Sequence, residues 1–127
     1  MRVCLIIPPS GFLMDERCFP SLGVLKVAAV LEQAQVDVVV FDLSGCEVGI
    51  DGLPSADAYG LTATMPQMPA AVQIARLIRQ AHPTARLILG GPHPTLMHSS
   101  AKHGSTRAQA AMADLQALFD VVVCGDG

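Results

Sequence analysis

The amino-acid sequence predicts an α/β domain in which helices cover both faces of a parallel β-sheet, a doubly wound arrangement. Five short apolar runs alternate along the chain with longer segments in which apolar residues recur every three or four positions. Most of these runs lack the alternation of polar and apolar residues that marks a strand with one wet face, so we expect strands buried on both faces. Strands that alternate with helices pair in parallel through right-handed crossovers.

The first predicted strand covers residues 3–7 and is stopped by Pro8 and Pro9. After a loop to residue 20, Ser21 can cap a helix that extends to about residue 35. The apolar residues expected to face the core from this helix are Leu22, Leu25, Ala28, Ala29 and Leu31.

The second predicted strand covers residues 36–41 and ends at Asp42. Residues 44–57 contain three glycines and a proline, which indicates a connection with little regular structure. The third strand covers residues 58–62.

Pro69 suits the first turn of a second helix, which extends to Ala81. Its expected core residues are Ala71, Ile74, Ala75 and Ile78. The fourth strand, residues 86–89, is followed by two glycines and a polar stretch that we expect to be a loop to residue 105. A third helix over residues 108–119 and a fifth strand over residues 121–124 complete the prediction.

Composition excludes several classes of protein. The chain has 127 residues, 51% of them apolar, so it can bury enough surface to fold as one domain. A net charge of −3 leaves no basic stripe for phosphates, and one Tyr, four Phe and no Trp provide few stacking platforms for nucleic acid. No apolar stretch approaches the roughly 18 residues of a membrane span, and no signal peptide is evident, so we expect a cytoplasmic protein.

Metal-binding patterns are also missing from the sequence. The four cysteines form no CxxC or CxxxCxxC motif, so neither a zinc ribbon nor an iron–sulfur cluster is predicted in this chain. His93, His98 and His103 recur every five residues, a spacing that would not bring them to one face of a helix or strand. Solvated loop histidines are favoured over a metal site.

The carboxyl ends of the strands are the expected position of a ligand. The first loop has neither GxGxxG nor a Walker A motif, which weakens the nucleotide alternatives. Asp42 suits the capping of local backbone better than the binding of a ribose. Gly90 and Gly91 allow close approach of a ligand or form a tight turn, and the glycines alone do not decide between the two. Thr62 and Thr64 supply hydroxyls at the neighbouring strand end.

The order of these segments resembles the N-terminal cobalamin-binding domain of B12-dependent radical SAM enzymes. The resemblance extends over the whole chain, and its matching segments are Pro8-Pro9, 19–25, Asp42, 59–64, 89–95 and 121–127. It implies a flavodoxin-like, three-layer sandwich with a five-stranded parallel sheet in the order 2-1-3-4-5. It also implies that the corrin ring lies across the strand ends and that the nucleotide tail of the cofactor enters the crevice.

The resemblance assigns site residues by position. Thr62 and Thr64 correspond to a small-hydroxyl segment and Gly90 and Gly91 to the glycine pair that admits the tail. In the turn that begins at Gly125, Asp126 replaces a Glu of the family, which puts any contact of that carboxylate in doubt. The cofactor-binding residues expected in full are Ser10, Gly11, Phe12, Leu13, Met14, Thr62, Thr64, Gly90, Gly91, His93 and Gly125.

The DxHxxG motif of other cobalamin proteins, whose His ligates cobalt, is absent, since no His precedes His82. The resemblance therefore implies base-off cobalamin without a histidine ligand from this chain, with residues 12–14 near the lower corrin face. We expect no catalytic residue here. Residues 1–127 are expected to form the cobalamin-binding N-terminal part of a methyltransferase-like enzyme whose following domain holds the iron–sulfur cluster and SAM. The alternative is a flavodoxin-like or Rossmann-like module for a nucleotide or flavin, or an interaction domain.

Overall fold

A parallel five-stranded sheet with four α-helices forms the described part of a computed structural model, which covers residues 1–9 and 22–124. The elements are β1 (Arg2–Ile7), α1 (Leu22–Gln33), β2 (Asp37–Asp42), β3 (Ala58–Thr62), α2 (Met68–Ala81), β4 (Arg86–Gly90), α3 (Pro92–Lys102), α4 (Thr106–Leu118) and β5 (Val121–Val122). A short 3₁₀ turn, Met65–Gln67, precedes α2. The predicted Ser21 cap lies outside the described residues.

The strand order is β2-β1-β3-β4-β5, and all four pairings are parallel. This order confirms the predicted flavodoxin-like class. Helical connections join β1 to β2, β3 to β4 and β4 to β5, whereas the neighbours β1 and β3 are not consecutive along the chain. No helix in the described ranges is both long and apolar enough to cross a membrane.

Alternate residues of the strands form two apolar cores, one on each face. On the face we call the α1 face, Val3, Leu5 and Ile7 of β1 belong to the same buried cluster as Val24 and Ala28. On the opposite face, a larger cluster joins strand residues to α2 and α4; its central members are Cys4, Ile6, Tyr59, Leu61, Ile74, Ile78, Leu87, Leu89, Met112 and Leu115. Each fully buried Leu or Ile stabilises the fold by about 1.5–3 kcal/mol.

Helix α2 matches its prediction closely, but α1 does not. The four predicted core residues of α2 are buried. In α1 the inward stripe is Val24, Ala28 and the half-buried Leu31, while Leu22 is 63% and Leu25 49% exposed. The sequence of α1 is apolar around nearly its whole circumference, so the periodicity did not distinguish one face. The helix also ends at Gln33 rather than 35, because Gln35 has a φ of 62°.

Strand β2 was predicted to be buried on both faces, and this is wrong. It lies at the edge of the sheet, and none of its residues is fully buried. Composition reports the apolar character of a strand but not its place in the strand order.

The polar stretch after β4 was predicted to be a loop, and this too is wrong, since residues 92–102 form α3. Pro92 and Pro94 lie in its first turn, where the missing N–H groups have no intrahelical acceptor. Because of these prolines and the lack of apolar periodicity, the sequence did not predict this helix. At the end of the described chain, β5 is only two residues long, shorter than predicted.

Candidate functional site

The connections that follow β1 and β3 leave the carboxyl ends of these neighbouring strands toward opposite faces of the sheet. Helix α1, which follows β1, and helix α2, which follows β3, pack on opposite faces. The pairing of β1 with β3 ends at Ile6 and Leu61, whereas β3 remains paired with β4 as far as Thr62 and Gly90. This switch point of strand order is where open parallel sheets bind ligands.

Three small residues lie beside this switch point on the α1 face. Gly60, Thr62 and Gly90 share that face because Gly60 pairs with Leu5 and Thr62 pairs with Gly90. All three remain partly exposed. A Cβ on Gly60 would lie 3.0 Å from Leu5 Cδ2, and one on Gly90 would lie 3.8 Å from Val123 Cβ. We call this low surface, between Leu5 and Val123, the β3–β4 groove.

The two glycines after β4 have different roles. Gly91 has a φ of 105°, and a Cβ there would lie 2.7 Å from Thr62 Oγ1 and 2.8 Å from Ala63 N. A tight turn packed on β3 therefore accounts for Gly91. Gly90 has no positive φ, and a Cβ there would meet only Val123 at ordinary contact distance. Gly90 is thus the member of the pair whose missing side chain leaves space in the groove.

Backbone hydrogen bonds join the start of α3 to the exit of β3. The Ala63 amide donates to the Gly90 carbonyl at 3.1 Å, and the His93 amide donates to the Ala63 carbonyl at 3.0 Å. The Thr95 hydroxyl donates to the Gly91 carbonyl at 2.9 Å. His93 is half-buried, and burial lowers the pKa of its imidazole, which favours the neutral ring.

The two threonine hydroxyls are in different environments. Thr62 Oγ1 lies against Gly91 and makes no hydrogen bond to any of the described residues. Thr64 is exposed, and both its amide and its hydroxyl donate to Gln67 Oε1, at 2.9 and 3.1 Å. Thr62 therefore has a hydroxyl available to a ligand, whereas that of Thr64 already donates within its own turn.

Gln67 was not identified from the sequence. Its Nε2 donates to the Pro8 carbonyl at 2.9 Å, so the same side chain contacts the exits of β1 and β3. The spacing Thr64-x-x-Gln67 is that of a capping box, a signal that could have drawn attention to the glutamine. No local pattern could have indicated the bond to Pro8, 59 residues away in sequence.

Asp42 performs the capping role that the sequence favoured. Its Oδ1 accepts a hydrogen bond from the Ser44 amide at 2.8 Å. Ser10, Gly11, Phe12, Leu13, Met14 and Gly125 lie outside the described residues. Within the described ranges, no three His, Cys, Asp or Glu side chains are grouped so that they could hold a metal ion.

Comparison with known protein families matches residues 15–127 to the B12 binding domain. Comparison with curated proteins gives no match. The family match begins after β1 and includes the other four strands, the glycine pair and both threonines of the site.

Proposed function

We propose that this chain, which belongs to the B12 binding domain family, binds cobalamin at the carboxyl ends of its strands, with the nucleotide tail in the β3–β4 groove. The observation that carries the proposal is the groove itself, which lies at the switch point of a sheet from this family. Its floor is made of residues whose side chains are absent or short, so a flat aromatic base can approach the strands closely.

The groove suits the tail in chemistry as well as in shape. The buried Leu5 lies against Gly60 and the partly exposed Val123 lies beside Gly90, so the groove has apolar edges that suit an aromatic base. Thr62 presents a hydroxyl without a partner among the described residues, and a hydroxyl can both donate to and accept from a polar atom of the tail. A few polar groups within an apolar pocket are typical of cofactor sites.

We propose further that the bound cofactor is base-off and takes no histidine ligand from this chain. A tail that occupies the groove holds its base away from the cobalt. The sequence lacks DxHxxG, and the first histidine is His82. The half-buried His93, at the first turn of α3, is proposed to contact the tail or a propionamide. Residues 10–14 and Gly125 remain proposed contacts of the cofactor, with residues 12–14 near the lower face of the corrin.

In a larger protein, this chain would serve as a cofactor module. The series of motifs that resembles B12-dependent radical SAM enzymes supports residues 1–127 as their cobalamin-binding domain, with cluster and SAM held by a following domain. Bound cobalamin would supply methyl-transfer or radical chemistry through its cobalt. The contribution of this chain is to bind the tail, to orient the ring and to keep water from the groove.

Titration of the purified chain with hydroxocobalamin tests the proposal, followed by visible spectroscopy and gel filtration. We expect the corrinoid to co-elute with the protein at micromolar concentration and to show a base-off spectrum. Parallel titrations with FMN and NAD address the alternative, since a flavodoxin-like sheet can also bind a flavin or nucleotide at its switch point. Binding of FMN or NAD without binding of corrinoid would refute the proposed function.

A further inference from the structure

At the switch point, the pairing of β1 with β3 ends one residue before the end of each strand. Outside it, β1 stays paired with β2 as far as Ile7 and Asp42, and the Leu43 amide donates to the Ile7 carbonyl at 2.9 Å. Likewise β3 stays connected to β4 through the Ala63 amide. The pairing of β1 with β3 stops one residue earlier, at Ile6. Beyond Ile6 and Leu61, each exit thus remains paired with its outer neighbour, whereas the pairing of β1 with β3 does not continue.

The Gln67 side chain spans this gap. Nε2 donates to the carbonyl of Pro8, at the exit of β1, and Oε1 accepts from both the amide and the hydroxyl of Thr64, at the exit of β3. No other side-chain hydrogen bond joins these two exits within the part of the chain that is described. The side-chain amide of Gln67 therefore connects the exits of β1 and β3 beyond the last paired residues of the two strands.

The position of Gln67 is itself well defined. It ends the 3₁₀ turn, its amide donates to the Thr64 carbonyl at 3.1 Å, and prolines occur close by on both sides, at positions 66 and 69. Proline restricts φ, so the turn loses little further freedom when the side chain engages. The side chain is half-buried, which limits competition from water.

We infer that Gln67 is a positioning residue that sets the width of the crevice between β1 and β3 and thereby the affinity for a corrinoid. The inference rests on the proposed function. A ring across the strand ends must contact both exits, and Ser10, a proposed contact of the cofactor, follows Pro8 by two positions in the sequence. Loss of the bridge leaves the exits free to separate, so part of the binding free energy is used to bring them together.

The test compares Gln67→Glu with Gln73→Glu, a matched control on the exposed face of α2. Both introduce the same charge in neighbouring turns. Glu at position 67 still has carboxylate oxygens that accept from Thr64, but it has no N–H to donate to the Pro8 carbonyl. The variant therefore removes only the hydrogen bond that reaches the exit of β1. We expect hydroxocobalamin to bind Gln67→Glu about tenfold more weakly, because the variant loses the hydrogen bond to the Pro8 carbonyl and places a carboxylate oxygen against it. The circular dichroism of the bound corrinoid should also change.

The same measurements on Gln73→Glu should match wild type. A second variant, Gln67→Met, is close in size and uncharged, and it should weaken binding in the same direction. All titrations are performed well below the melting temperature of each variant, so that a purely structural role would alter the melt but not the corrinoid spectrum. Unchanged affinity and dichroism in both position-67 variants would overturn the inference while leaving the proposed function intact. Absence of corrinoid binding by wild type would refute the proposed function, and the inference with it.

Discussion

Adding a side chain at Gly90 should block cobalamin binding without harming the fold. A Cβ at this position meets only Val123 Cβ, at 3.8 Å, and the backbone has no positive φ. Gly inside a strand is less stable than Ala by roughly 0.5–1 kcal/mol, so Gly90→Ala should leave the free energy of unfolding unchanged or raise it by about that amount. Gly90→Val adds two further methyl groups beyond those of Ala, on a β-branched side chain that strands tolerate.

The same side chain occupies space in the β3–β4 groove. Forcing extra carbon atoms into a packed contact costs about 1–3 kcal/mol, which corresponds to a roughly fivefold to 150-fold loss of affinity. The loss should increase from Gly90→Ala to Gly90→Val. Visible titration with hydroxocobalamin measures the affinity, and urea unfolding measures the stability of the same samples.

Gly91→Ala is the contrasting variant. Its Cβ would lie within 2.8 Å of Thr62 Oγ1 and Ala63 N at a φ of 105°, so we expect the fold itself to lose about 1–3 kcal/mol. Position 91 therefore tests the turn and position 90 tests the groove. A folded Gly90→Val protein that binds hydroxocobalamin as wild type does would refute the placement of the tail.

Three further predictions concern titration, ligation and reactivity. The amide of Leu87 and the side chain of Arg79 hydrogen bond to Asp120 and lower the pKa of its carboxyl from its ordinary value. The stabilising effect of the Asp120 carboxylate should thus be complete above the pKa of the unfolded chain and disappear as the pH falls through the lowered pKa, so Asp120→Asn should lower the urea midpoint near neutral pH and not in strong acid. His93→Ala should leave the spectrum of bound cobalamin base-off, and a change of axial ligand would show that His93 binds cobalt. Burial raises the pKa of the Cys4 thiol to about 11, so iodoacetamide should label the exposed Cys46 and spare Cys4 until the protein is unfolded, as peptide mass spectrometry would reveal.

Local pattern was sufficient wherever one face of an element was clearly apolar. The inward stripe of α2 could be predicted because charged and amide side chains occupy its opposite face. Helix α1 offered no such contrast, and its inward stripe depends on where it packs against β1 and β2. Helix α3 was missed because two prolines in its first turn look like the start of a loop.

The residues of the candidate site also differ in whether local sequence pattern could identify them. The sequence indicated that ligand chemistry belongs at the strand ends, and the threonines and glycines that it singled out do flank the switch point. Gln67 could not be found in this way, because its importance comes from a carbonyl 59 positions earlier in the chain. A capping-box pattern can indicate that a glutamine is engaged locally but not that it connects two strands.

By itself the sequence determined the fold class, the β-forming segments and the pair of glycines that follows β4. Only the tertiary structure decided what each glycine does. Gly91 must lack a side chain because Thr62 and Ala63 lie against it, and Gly90 lacks one beside an open groove edged by Val123. These neighbours lie about thirty residues away on either side, on strands brought together by the sheet, and steric contact depends on that distance in space rather than on order along the chain.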